Sequence, residues 1–520
     1  MKERKVPKMK RNLKKLFALL LASVMLLSLI SCAADNMDNG GDEKNQADGE
    51  NGIFDSPTAG QNEESNETAG DKILENPFLS TAENNVSTFS ADVDTASYTY
   101  FRKLVRSGYS LEELIGTGTV FRTEEFINYF RYETAQPNEG ELFSVQSDIT
   151  PCPWNSESVL MRLTLQAQAA EPANGNNLVF LIDVSGSMSA EDKLPLLKEA
   201  FSYLIDQLTE YDTVSIVTYS GKEEVVLSGC NGNKKATILS AVQALKASGS
   251  TYGEAGLRRA YEVATEHFIE GGNNRIIMAS DGDLNVGITS AEELKNYVST
   301  ERDKGVYLSV LGFGTGNYRD AKMEALADNG NGVYYYIDGT SEAEKVFGTD
   351  LLGTLRTVAE DVKLQITFDQ ALVSSYRLIG YENRILSDED FTDDTKDAGE
   401  VGAGHRITVC YELVLTDEAD VEGTNWLRLA VNYKEPGIDT AVPARYYNIG
   451  YVDYSEDLSA DQQFVSCLIE FCMILRGSQY LPEEINLESV LSVLEELDFS
   501  SYPDRAEFRE LVRTLTNDSN

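Results

Sequence analysis

The sequence predicts an α/β protein: a mostly parallel sheet with helices on both faces, then an antiparallel β module and a helical C-terminal segment. Three observations carry this. From about Leu178 to Phe347, apolar β-rich runs alternate with helical patterns, as in parallel strands joined through helices. After about Gly353 the apolar residues alternate with polar ones, the period of antiparallel strands. From Ser459 they fall at helical spacing.

The elements follow in order. Leu178–Asp183 (LVFLID) reads as a buried strand, and Thr213–Tyr219, Arg275–Ser280, Val306–Gly312 and Val333–Ile337 as its partners. Leu257, Ala260, Tyr261, Ala264 and His267 mark the inward face of an intervening helix. Val225–Leu227 follows the second strand after only a short turn, which suits an antiparallel edge. Val362–Phe368, Arg406–Leu413 and Trp426–Tyr433 make the antiparallel module. Ser459 and Gln462 fit a capping box ahead of a helix whose apolar face is Phe464, Leu468, Phe471, Cys472 and Leu475. Upstream, helical patterns occur around Tyr98–Val105 and Glu124–Phe130.

The 520 residues divide into seven segments. Residues 1–31 read as a signal peptide: eight basic side chains precede an apolar stretch, Leu16–Ile30, too short to span a membrane. Residues 32–75 are an acidic tether that buries too little to fold, with a reach of roughly 35 Å. An N-terminal region covers 76–145 and a β segment 146–175; the α/β domain spans 176–352, the β module 353–455 and the helical segment 456–520.

With 85 acidic against 44 basic residues the net charge is −41, which argues against nucleic acid and against electrostatic docking on anionic lipid. Five cysteines beyond Cys32 are too sparse and too odd in number for a disulfide framework, and Cys467 and Cys472, five apart on a helix, diverge.

The candidate site begins where the first strand ends. Asp183, Ser185 and Ser187 alternate in LIDVSGSM, so their oxygens aim into one space. Ligands of open parallel sheets bind beyond the carboxyl ends of the strands. Thr251, in GSTYGEAG before a helix, and Asp281, in MASDGD after the fourth strand, add oxygens at the same end. An all-oxygen set suits a hard divalent cation, Mg²⁺ first, with Mn²⁺ or Ca²⁺ as alternatives.

In these five residues the chain resembles the von Willebrand factor A domain, a Rossmann-like fold whose metal-ion-dependent adhesion site is D-x-S-x-S, then Thr, then Asp. The resemblance implies that Ser185, Ser187 and Thr251 bind the ion, that Asp183 and Asp281 bind it directly or through water, and that a partner's carboxylate completes the coordination. STFSADVDTASYTYFRKL, RTEEFINYF, SDGDLNVG, LGFGTGNYRD, LADNGNGVYYYID and YRLIGYENRILSDEDFTDDTKDAGEVGAGH extend the resemblance, over about Asn76 to Thr516, to the YfbK-like von Willebrand A lipoproteins of bacteria. LIS-Cys32 is similar to the lipobox of such lipoproteins, with Cys32 as the lipidated residue. The expectation is an extracytoplasmic protein, lipid-anchored to a bacterial membrane, whose domain holds Mg²⁺ and recognises an acid-bearing protein partner.

Other motifs weigh less. DGDLNVGITSAEE has oxygen-bearing residues at calcium-loop spacing (Asp281, Asp283, Asn285, Glu292), but Val286 stands where an EF-hand needs glycine. GFGTGN (312–317) lacks the third glycine of a dinucleotide loop and reads as a tight turn. The acids between Asp388 and Glu400 could hold calcium but read first as a solvated loop, and Asp92 and Asp94 could likewise be ligands, with helix capping near Ser97 explaining them as well. His267 and His405 are the only histidines and read as packed or structural. No H-E-x-x-H, G-x-S-x-G or phosphate loop occurs, so the chain reads as no enzyme. A metal-dependent hydrolase of envelope polymers and a scaffold with a purely structural metal are the alternatives.

Overall fold

The structure is a computed structural model that describes residues 74–169, 175–250, 253–282, 291–314, 320–350 and 356–518. The leader, Cys32, the tether up to residue 73, Thr251 and most of the calcium-loop mimic lie outside them. Strands β1 (Leu79–Ser80) and β2 (Val86–Ser90) lead into helices α1 (Ala96–Arg106), α2 (Leu111–Gly116) and α3 (Thr123–Tyr129), then β3 (Phe143–Pro151) and β4 (Val159–Ala167). At α2, Ser110 and Glu113 close a reciprocal capping box.

The α/β domain follows: β5 (Asn176–Asp183), α4 (Leu194–Gln207), β6 (Thr213–Tyr219), β7 (Glu223–Asn231), α5 (Lys235–Ala244), α6 (Gly253–Glu266), β8 (Asn273–Ser280), α7 (Ala291–Arg302), β9 (Tyr307–Phe313), α8 (Asp320–Asn329), β10 (Tyr334–Ile337) and α9 (Thr340–Lys345). Its sheet has the order β10-β9-β8-β5-β6-β7, parallel except for the edge strand β7. Along β5, Leu178, Phe180 and Ile182 enter one core with Phe201 of α4, while Val179 and Leu181 enter the other with Leu257 of α6. Burial on both faces explains the continuous apolar run, and each such side chain contributes roughly 1.5–3 kcal/mol.

The C-terminal part comprises β11 (Thr357–Phe368), β12 (Val373–Ile379), β13 (Ile385–Leu386), β14 (Gly399–Gly402), β15 (Arg406–Leu415), β16 (Asn425–Lys434) and β17 (Arg445–Gly450), then α10 (Ala460–Arg476), α11 (Leu487–Glu496) and α12 (Pro503–Asp518). Its strands share two antiparallel sheets with strands from before the α/β domain: β1-β12-β15-β4-β3 and β13-β2-β11-β16-β17. Met161, Leu163, Val409 and Tyr411 of the first sheet bury against Phe89, Leu364, Ile366 and Leu429 of the second. The α/β domain is therefore inserted between two halves of one β-sandwich. The segments 146–175 and 353–455, read from the sequence as successive pieces, are paired in space through β4 and β15. The helices join the same way: Phe101 of α1, Phe126 of α3, Phe464 and Phe471 of α10 and Phe508 of α12 form one aromatic core.

Some local expectations are revised. Ser459 caps α10 through Gln462 N, but the Gln462 side chain donates to Thr150 and Leu160 rather than closing a box. His267 lies past the end of α6, half-buried, with Nε2 2.8 Å from Ser228 Oγ. Asp92 and Asp94 do not cap α1; Thr95 holds that position, and both acids face Arg384. The cysteines at 152, 230, 410, 467 and 472 are buried and unpaired. Among the described residues no helix is long and apolar enough to cross a membrane.

Candidate metal centre

β5 lies between β6 and β8, so the chain leaves it toward one side and returns on the other. That reversal opens a crevice at the carboxyl ends of the strands. Asp183 is the last residue of β5 and Asp281 follows the last residue of β8, which places both acids at this crevice.

The loop after Asp183 is fixed by backbone bonds. Val184 N donates to Tyr219 O at 3.0 Å, Gly186 N to Gly249 O at 3.0 Å, and Ser248 N to Val184 O at 2.7 Å. The D-x-S-x-S loop is thus stitched to residues 248 and 249, immediately before the segment that carries Thr251. A 3₁₀ turn over Gly186–Ser189 buries Met188 in the core beneath. Ser185 Oγ and Ser187 Oγ come within 3.0 Å of each other; Ser185 is buried and Ser187 exposed, so the pair runs from interior to solvent.

Asp183 is fully buried. Its Oδ1 accepts from Ser185 N at 2.8 Å. Its Oδ2 makes no hydrogen bond of good geometry, although the Tyr219 hydroxyl lies close enough to draw the carboxyl's pKa down. Burial pushes this carboxyl up to about 6; the Ser185 hydrogen bonds pull it down and the charge of Asp281 pushes it up. A buried carboxylate oxygen with nothing to bond costs free energy unless something pairs with it. With the Ser185 and Ser187 hydroxyls 3.0 Å apart on the same loop, the donor set suits a hard divalent cation. Asp183, Ser185, Ser187 and Asp281 thus fit such an ion.

One residue at the site had no signal in the motif. Lys193, at the start of α4, donates from Nζ to Asp281 Oδ2 at 2.7 Å.

A second acid group draws on the stretch expected to be a solvated loop. Asp361, Asp397 and Glu400 bring carboxylate oxygens within 4.8 Å of one another. Lys434 already pairs with Asp361 at 2.6 Å and Arg302 with Asp397 at 3.1 Å. Those cations make it an ion-pair network. The other acids of the stretch are largely exposed, as expected. His405 is held by its turn, Nδ1 accepting from Gly402 N at 3.2 Å.

The sequence can now be compared with known proteins. The von Willebrand factor type A domain family matches residues 177–349, which bracket the site; a von Willebrand factor family matches 64–162; and the family described as Uncharacterized protein YfbK, C-terminal, matches 353–517. The YfbK protein of Escherichia coli (strain K12) is 38% identical over 431 residues, 78% of this chain and 74% of that protein. The chain belongs to the YfbK family. This YfbK-family chain carries a von Willebrand A domain, and the mixed α/β architecture with antiparallel sheets and C-terminal helices is as the sequence predicted.

Other similarities are confined to part of the chain. The human inter-alpha-trypsin inhibitor heavy chain H3 is 29% identical over 184 residues, 33% of this chain and 20% of that protein. A von Willebrand factor type A structure from Catenulispora acidiphila has 18% identity and a TM-score of 0.40, covering 66% of this chain and 80% of that one.

Proposed function

We propose that this YfbK-family protein is a lipid-anchored, extracytoplasmic recognition protein. Its A domain holds a divalent cation, Mg²⁺ first, through Asp183, Ser185, Ser187, Thr251 and Asp281, and presents it to an acidic group on a protein partner. The observation that carries the reading is the buried Oδ2 of Asp183, which makes no hydrogen bond of good geometry, at the head of a loop whose Ser185 and Ser187 hydroxyls come within 3.0 Å of each other. A bound divalent ion supplies a coordination position that an outside carboxylate can take. This chain's residues do the rest: Asp183 fixes the serine loop through the Ser185 amide, and Met188 anchors that loop in the core. With only two protein carboxylates in the set, the ion keeps enough positive charge to attract an acid. The reading assigns the site no catalytic step.

The basic leader, the apolar Leu16–Ile30 stretch and LIS-Cys32 support a lipid on Cys32. Crosslinking at the membrane followed by capture of the protein, with and without EDTA, tests the whole proposal. The expected result is a partner lost on chelation and a protein released from the membrane fraction by Cys32→Ser. Capture indifferent to EDTA overturns the metal-mediated contact, and an unchanged, fully processed, membrane-bound Cys32→Ser protein overturns the anchor.

A further inference from the structure

The candidate metal centre contains a cation that belongs to the protein. Lys193 lies outside the D-x-S-x-S motif, at the start of α4, where its carbonyl accepts from Leu197 N at 2.9 Å and its own amide donates to Ala190 O at 3.1 Å. Its ammonium reaches across to Asp281 Oδ2 at 2.7 Å; the lysine side chain is 12% exposed and the Asp281 carboxyl 0%. A surface lysine keeps its head in water. This one is turned inward onto a buried acid.

The path of the stem is shaped by the end of β9. Gly314, next after that strand, has φ +75, a conformation that disfavours side chains, and a Cβ there would lie 2.2 Å from Lys193 Cε. The Gly314 carbonyl is held by the buried Tyr336 hydroxyl at 2.7 Å. The glycine-rich GFGTGN stretch, whose Thr315–Asn317 part lies outside the described residues, thereby has a local use: its second glycine is the floor over which the lysine runs. Three elements, α4, β8 and β9, converge to hold one ammonium on one carboxylate.

We propose that Lys193 is the resting counter-ion of Asp281 and that Mg²⁺ loads the centre only by displacing its ammonium, so that Lys193 sets the concentration at which the site fills. The inference rests on the cation-site reading above. An ammonium and a divalent ion cannot share one buried carboxylate at close range without strong repulsion, since charge interactions there are weakly screened. The lysine therefore weakens Mg²⁺ binding, and when displaced it becomes a positive group at the rim of the crevice.

The test is Mg²⁺ titration calorimetry on the full mature chain, wild type beside Lys193→Met, which keeps the stem and removes the charge. The expected result is Mg²⁺ binding at least tenfold tighter in the variant. A second measurement needs no variant: amine acetylation of the wild-type protein with mass-spectrometric readout at Lys193, with and without Mg²⁺. Labelling of Lys193 is expected to rise when Mg²⁺ is added. Equal affinity in wild type and variant, or Mg²⁺ binding that leaves Lys193 labelling unchanged, overturns the counter-ion inference and leaves the cation site standing. Binding seen only in Lys193→Met supports it. No Mg²⁺ binding by either protein overturns the cation-site reading, and this inference with it.

Discussion

The amide of Ser185 donates to one oxygen of Asp183 at 2.8 Å, while the other oxygen of that carboxylate is buried and makes no hydrogen bond of good geometry. One oxygen of the acid holds the loop, and the other is not satisfied by it.

The first prediction separates the two. Asp183→Asn keeps an acceptor for the Ser185 amide and removes the charge. Mg²⁺ binding is expected to vanish in calorimetry, while the thermal melt in EDTA stays the same or rises, because a poorly satisfied buried charge has gone; the gain is at most about 1–3 kcal/mol. Asp183 is fully buried rather than solvent-facing at the strand end, so the larger Asp183→Ala change would also leave the Ser185 amide without its acceptor. A markedly lower melt for the Asn variant would make Asp183 a structural acid.

The second prediction concerns pH. Glu124 in α3 is fully buried and neither carboxylate oxygen has a hydrogen-bond partner. Gly380 approaches so closely that a Cβ there would lie 2.6 Å from Glu124 Oε2. Burial first, then the charges of Glu382 and Asp92, push this carboxyl up to about 8. A raised folded-state value means that the folded protein holds the proton more tightly than the unfolded chain, so stability is lost as pH rises between about 4.5 and about 8. Glu124→Gln is therefore expected to raise the melting temperature at pH 8.5, by a stability gain on the order of a few kcal/mol, and to change little at pH 4.5. Melts at the two pH values check this, and an equal effect at both would refute it.

The third prediction tests what joins the segments. The guanidinium of Arg102 in α1 bonds both oxygens of Asp338, each at 2.6 Å, and also Glu342 at 2.7 Å and Glu507 at 3.0 Å. It thus ties α1 to the A domain and to α12. Arg102→Met would leave Asp338 with Arg106 at 3.5 Å and Glu342 with the Tyr129 hydroxyl at 2.9 Å in place of the guanidinium, and the expected loss is roughly 3–5 kcal/mol in denaturant unfolding. A loss below about 1 kcal/mol would mean that water or rearrangement compensates.

The fourth concerns the sandwich. A fragment starting at residue 353 lacks β2 and β4, the partners of β11 and β15, and would expose apolar faces with open strand edges. It is expected to aggregate or remain unfolded by circular dichroism, whereas a chain from residue 74 onward folds. A soluble, cooperatively melting fragment would show that the β module is self-sufficient.

What the sequence determined by itself was local. The run LVFLID, buried on both faces, is legible as an interior strand, but Ser185 and Ser187 come within 3.0 Å of each other through a 3₁₀ turn over Gly186–Ser189 and not through the extended chain that the alternation assumed. The antiparallel edge at 225–227, the antiparallel strands after 353 and the helix after Ser459 follow from the same short-range periodicities. Only the tertiary structure decided that β4 pairs with β15, that Arg102 meets Asp338 across 236 residues, and that Lys193 lies on Asp281. These contacts join residues far apart in the chain and leave no period to read. Each depends on which surfaces remain to be covered, and which buried charges remain to be paired, once the local elements have formed.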